Sequence, residues 1–177
     1  MCIRDRQLLQ QANLPDGFKF QLSYGNASIA GVGYQNLAQK IQSDLARVGI
    51  KAELTPQDQV NMRTLYLGGK LEAALTFWNP PAPENWLWSA ATINRVAGRV
   101  HWKVPDDVRK LVADAGAERD LVKGAALYKQ YQQVMVDAAH HFVLIQPVYQ
   151  VAVRKNVTGL KLTAAGWMAE LGGAKPA

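Results

Sequence analysis

Residues 18–54 read FKFQLSYGNASIAGVGYQNLAQKIQSDLARVGIKAEL, and the fold class turns on how this stretch is parsed. Phe18, Phe20, Leu22 and Tyr24 alternate with polar residues, the period-two signature of a strand over 18–24. Residues 25–33 are rich in Gly, Ser and Asn and read as a loop. An amphipathic helix follows over 34–48, because Leu37, Ile41, Leu45 and Val48 recur at spacings of four, four and three and form one apolar stripe. Gly49 closes it as a C-cap, and alternation returns over 50–54 as a second strand. Strand, helix and strand at this spacing make a βαβ unit, which implies a parallel pair joined by a right-handed crossover. The class is α/β.

Working outward, residues 7–13 look like the end of a short helix, and Leu14-Pro15-Asp16-Gly17 is a turn in which Pro presets φ and Gly supplies a positive one. Downstream, 59–67 reads as a helix ended by Gly68-Gly69. Residues 71–78 read as a largely apolar strand of the kind covered on both faces. A long loop rich in Pro, Trp and Asn spans 79–103. Loops of that length tend to be functional or disordered, and Trp86, Trp88 and Trp102 argue against disorder. A helix covers 104–118, with Pro105 near its start, Asp106 and Asp107 favouring the dipole, and Val108, Leu111, Val112 and Ala115 facing inward. A longer helix begins after the N-cap candidate Asp120 and runs to about 139, its face carrying Leu127, Tyr131, Val134, Met135 and Ala138. Residues 142–153 are strand-like and interrupted by Pro147, 156–159 read as a turn, and the tail fades into Gly and Ala. No internal repeat is present.

Composition narrows the function classes. The chain has 177 residues, room for one domain or one lobe, and is 49% hydrophobic and 19% charged. The net charge is +6, from 20 Lys plus Arg against 14 Asp plus Glu. These basic residues are scattered rather than gathered into a stripe, which argues against nucleic-acid binding. Cys2 is the only cysteine, which excludes a disulfide scaffold and a Cys-based metal site. No apolar run approaches the ~18 residues of a transmembrane helix, and the charged start Met-Cys-Ile-Arg-Asp-Arg is not a signal peptide.

Catalytic signatures are missing: there is no G-x-S-x-G elbow, H-E-x-x-H or P-loop. Gly31-Val32-Gly33 precedes a helix but lacks the third Gly of a dinucleotide fingerprint. His140 and His141 are adjacent, poorly spaced to chelate one metal, and read as helix-end or surface residues. His101 has no second ligand at metal spacing. Asp44, Glu53 and Asp58 read as solvated decorations of helix and strand. The expectation is therefore no enzyme, no cofactor and no metal. The segment FWNPPAPENWLW, 77–88, is the exception to this bland reading. It leaves the C-terminal end of an apolar strand, where open α/β sheets place ligands, and Trp joins broad apolar contact to one N–H donor. Stapling of the loop to the core is the equal alternative.

At this loop the sequence resembles a known family. The succession of motifs is similar to the C-terminal part of family 5 solute-binding proteins, the oligopeptide, dipeptide and nickel group. LLQQANLPDGFKF, 8–20, resembles the opening of that family's second lobe, and AQKIQSDLARVGIKAEL, 38–54, its helix–strand passage. Leu67-Gly68-Gly69-Lys70 with the strand to Trp78, then LYKQYQQVM at 127–135 and IQPVYQVAVRKNVTGL at 145–160, follow in the family's order. The resemblance covers about 7–162. It implies a periplasmic-binding-protein-like (type II) second lobe with part of the return to the first lobe, in a two-lobe clamp that traps ligand. On this reading 1–6 is a foreign junction, 7–140 the second-lobe α/β domain, and 141–177 the return strands and tail.

The resemblance further implies the substrate-binding component of an ABC transporter, a monomer working with permease subunits in the membrane. Its location would be periplasmic, or at the cell surface as a lipoprotein, with the signal peptide lost by N-terminal truncation. The ligand would be a peptide-like or other small polar solute, and a sensor domain of a transcription regulator is the alternative. The expected contacts are Trp78, Asn79, Pro81, Glu84, Trp86 and Asn26. One departure matters. Peptide-binding members carry an Asp three residues after the Trp to pair with the α-ammonium, and here that position is Pro81, with Glu84 three further on. Sugars, opines and modified peptides therefore stay open beside free peptides.

Overall fold

The computed structural model describes residues 2–29, 31–77, 85–145, 151–162 and 169–176. The chain divides into two compact units, Met1–Phe77 and Trp78–Ala177. Helix α1, Cys2–Gln11, opens the first and runs across the boundary drawn at residues 6 and 7.

The βαβ reading is observed. Strand β1, Lys19–Gly25, pairs in parallel with a later strand, in register from Lys19 opposite Lys51 to Gly25 opposite Gln57. The loop expected over 25–33 instead folds into a small antiparallel hairpin of β2, Ser28–Ile29, and β3, Val32–Gly33. Strands this short are held by the turn between them, and alternation cannot announce them. Helix α2, Tyr34–Ala46, stops two residues short of the expected end. Gly49 has φ of 88° and its N–H reaches the Ala46 carbonyl, while the Ile50 N–H reaches the Leu45 carbonyl. This is a Schellman closure, which needs a left-handed residue where Gly sits. The helix meets the sheet at Tyr34 and at Ala38, which is 0% exposed, with Leu37, Ile41 and Leu45 packed alongside. A residue as small as alanine at the point of contact lets the helix backbone approach closely.

Strand β4, Lys51–Gln57, is longer than expected and takes in Pro56. It sits at one edge of the order β4-β1-β5, where a missing N–H is tolerated. Helix α3, Gln59–Leu67, matches the sequence expectation. The strand expected over 71–78 is β5, Ala73–Leu75 only, pairing in parallel with Leu22 to Tyr24. The rest of the expected strand pairs with nothing among the described residues, and Trp78 lies outside them. The sheet core joins Leu22, Tyr24, Ala52 and Leu75 to α2. In the buried half of β1, Ser23 and Thr55 share a hydroxyl–hydroxyl hydrogen bond of 2.7 Å, so the polar pair is satisfied.

In the second unit the described part of the loop expected over 79–103 is helical from 85 to 99. Helix α4, Asn85–Ala91, runs through a π-helical turn, Thr92–Val96, into α5, Ala97–Arg99. Buried Ser89, Ile93, Val96 and Ala97 set the inward face. Helix α6, Asp106–Ala117, has Pro105 as its N-cap rather than within its first turn. Helix α7, Leu121–Ala138, starts from Asp120, whose carboxylate accepts from the Val122 and Lys123 N–H groups. The core unites Ile93, Ala97, Val104, Val108, Val112 and Tyr131. Burial raises the Tyr131 phenol above its ordinary pKa, and a hydrogen bond with Thr92 acts the other way.

No strand forms over 142–145 or 151–153. A strand exists by pairing, and among the described residues nothing pairs with this segment. The expected turn at 156–159 instead contains β6, Val157–Thr158, which pairs with β9, Lys175–Pro176, around a ladder of β7, Lys161–Leu162, with β8, Ala169–Glu170. The tail thus carries two short nested ladders.

Candidate functional site

Three features of the first unit converge at the C-terminal edge of its sheet. Strand β1 ends at Gly25 and β5 ends at Leu75. The third is the start of α3, fixed by Asp58, whose Oδ1 accepts from the Val60 N–H at 3.0 Å and the Asn61 N–H at 2.9 Å. Asp58 is therefore a helix N-cap and not the free decoration its sequence context suggests. Glu53 and Asp44 do lie on the surface, paired with Lys19 and Lys40 at 2.5 Å each.

Between these ends lies an open cavity of about 400 Å³, lined by Gly25, Ala27, Ser28, Ile29, Tyr34, Gln59, Met62, Leu75, Thr76 and Phe77. A side chain at position 25 would meet the Gln59 amide at 3.1 Å. Glycine thus lets Gln59 lie against the strand end with its amide at the cavity. Ser28 and Ile29 come from the β2–β3 hairpin and Tyr34 from the first turn of α2. The wall combines aromatic and aliphatic surface with a few hydroxyl and amide groups, the usual make-up of a small-molecule site. Its place, beyond the carboxyl ends of parallel strands, is where open α/β sheets hold ligands.

Asn26 is exposed and donates its backbone N–H to the Gln57 carbonyl at 2.8 Å. It does not line the cavity, although Gly25 and Ala27 on either side do. Trp78, Asn79, Pro81 and Glu84 lie outside the described residues, and Trp86 is described only as part of the α4 backbone. None of the lining residues was among the expected contacts, and only Phe77 fell within the segment singled out from the sequence. For Gln59 and Met62 a signal was available in Asp58 ahead of a helical pattern, which places a helix start beside a strand end. In the second unit His140 lies against Trp102 with ring centroids 5.2 Å apart and planes tilted by 35°, and no group of three or more His, Cys, Asp or Glu among the described residues could hold a metal ion.

With this geometry established, the chain can be compared with known proteins. No family model matches it. It is 26% identical over 130 residues, 71% of this chain, to the periplasmic protein DdpA of Escherichia coli (strain K12). It is 29% identical over 177 residues, 91% of this chain, to di/tripeptide-binding protein 1 of Pseudomonas aeruginosa (strain UCBPP-PA14). The solved dipeptide-binding protein of Pseudoalteromonas sp. SM9913, in complex with Met-Leu, superposes on 99% of the chain with a TM-score of 0.76 at 15% identity. The likeness to family 5 solute-binding proteins holds in both sequence and fold. The chain spans 25% and 31% of the length of the two curated relatives, and 35% of the solved structure. Its α/β fold is the periplasmic-binding-protein type expected from the motifs, and these relatives are binding proteins.

Proposed function

We propose that this chain forms the ligand-facing second-lobe part of a periplasmic solute-binding protein that serves an ABC importer. The cavity bounded by Gly25, Gln59 and Thr76 grips a peptide-like or other small polar solute. The observation that carries this reading is the cavity's position at the carboxyl edge of a three-stranded parallel sheet. The relatives' names support a peptide-like ligand. On the same reading, residues 7–140 belong to the second lobe and 141–177 return toward the first. Trp78, Asn79, Pro81, Glu84 and Trp86 are ligand contacts on this reading, the complete protein is a periplasmic monomer, and its partners are membrane permease subunits. The named relatives bind solutes, so nothing favours the sensor-domain alternative.

A thermal-shift screen of the complete protein against di- and tripeptides, opines and sugars tests the proposal. A ligand present at a hundred times its Kd adds about 2.7 kcal/mol to stability, a readily seen rise in Tm. A flat response across all three classes would sink it.

A further inference from the structure

The cavity wall also limits which part of a ligand it accepts. Its side-chain hydrogen-bonding groups include the hydroxyls of Ser28 and Thr76 and the amide of Gln59, all neutral, set against apolar Met62, Leu75 and Phe77. No acidic or basic side chain lines it among the described residues. The nearest carboxylate in sequence, Asp58, is committed to the α3 N–H groups, and Glu72 accepts from the Gln21 N–H at 2.6 Å. A charged group entering this wall would shed water without gaining a counter-charge from the described lining residues, whereas a neutral amide meets both a donor and an acceptor on Gln59. Resting on the reading of this cavity as the solute site, we propose that it selects an uncharged ligand group. That group would be an apolar side chain beside an amide, with Gln59 as the specificity-determining residue.

Blocked single residues isolate the side chain from terminal charges. The 177-residue chain is titrated by ¹H–¹⁵N NMR with N-acetyl-leucinamide, N-acetyl-lysinamide and N-acetyl-aspartamide. The leucine probe should bind about tenfold more tightly than either charged probe, shifting the Gly25 amide and the Gln59 side-chain amide. Gln59→Glu puts a carboxylate in the first turn of α3, where the helix dipole favours it. It should raise affinity for the lysine probe about tenfold at low salt. Equal affinity for all three probes in the unaltered chain overturns the selectivity and leaves the solute-binding reading standing. If no probe moves cavity resonances, this cavity is not the selecting site, and the thermal-shift screen of the complete protein decides the solute-binding reading separately.

Discussion

Gly17 and Gly49 meet backbone to backbone, with φ of 82° and 88°, just where β1 and β4 begin their ladder. A Cβ on Gly17 would run into the Gly49 carbonyl, while Gly31, with φ of 80°, has nothing within 4 Å of its added Cβ. Left-handed backbone costs a non-glycine residue about 1–2 kcal/mol. Gly31→Ala should lose about that much and Gly17→Ala distinctly more, in urea unfolding of the same chain. Equal losses would show that the two turns move apart at no cost. A second single-residue effect lies at the end of α7. Partial loss of water lowers the His141 pKa first, and the charge of His140 lowers it further. The folded chain therefore holds the His141 proton less readily than the unfolded chain. This contribution to stability is complete above the ordinary value of about 6.5 and is lost as pH falls from there through the folded value. An NMR titration should place the His141 midpoint below the ordinary value. In His140→Gln the midpoint should rise part of the way back, and no movement would remove the Coulombic cause.

At the scale of elements, what could be read from sequence depended on local signals. Helices α6 and α7 were legible because Pro105 and Asp120 mark their starts and an apolar stripe runs along each, and α3 because Gly68-Gly69 ends it, although its Asp58 cap was read as a surface decoration. The helical run over 85–99 was hidden, because Pro, Asn and Trp suggested a loop and a π-helical turn breaks the period at Thr92–Val96. The cavity was only partly legible: the end of β1 was placed to within a residue, but β5 ends at Leu75 rather than at 78, and the β2–β3 hairpin that supplies Ser28 has no alternation to detect. The caps themselves can be tested. Asp58 satisfies two otherwise orphaned donors, so Asp58→Ala should lower stability by about 1 kcal/mol, and Asp58→Asn should keep most of it. The same variant frees the start of α3, so the side-chain amide resonance of Gln59 should broaden in Asp58→Ala and stay sharp in Asp58→Asn. A loss in the asparagine variant as large as in the alanine one would point to charge, not capping.

For the whole molecule the deciding feature is the run 142–145, part of a segment that the sequence reads as strand and that pairs with nothing among the described residues. Phe142 is 75% exposed, Val143 91%, Leu144 51% and Ile145 49%. Pairing partners distant in sequence leave no trace in a segment's own pattern, so alternation and β-propensity could nominate a strand but not its neighbour. Four consecutive apolar, β-prone residues without a charge form the kind of segment that seeks another strand edge. The 177-residue chain alone should therefore self-associate as its concentration rises, which sedimentation velocity reads directly. Phe142→Ser combined with Val143→Lys should return it to a monomer. The urea midpoint should stay nearly constant, because neither residue belongs to either apolar core. In the complete solute-binding protein proposed above, pairing of this segment as a return strand would remove the exposed edge, consistent with a monomer. Association that persists unchanged in the double variant would place the sticky surface elsewhere and leave 142–145 without that role.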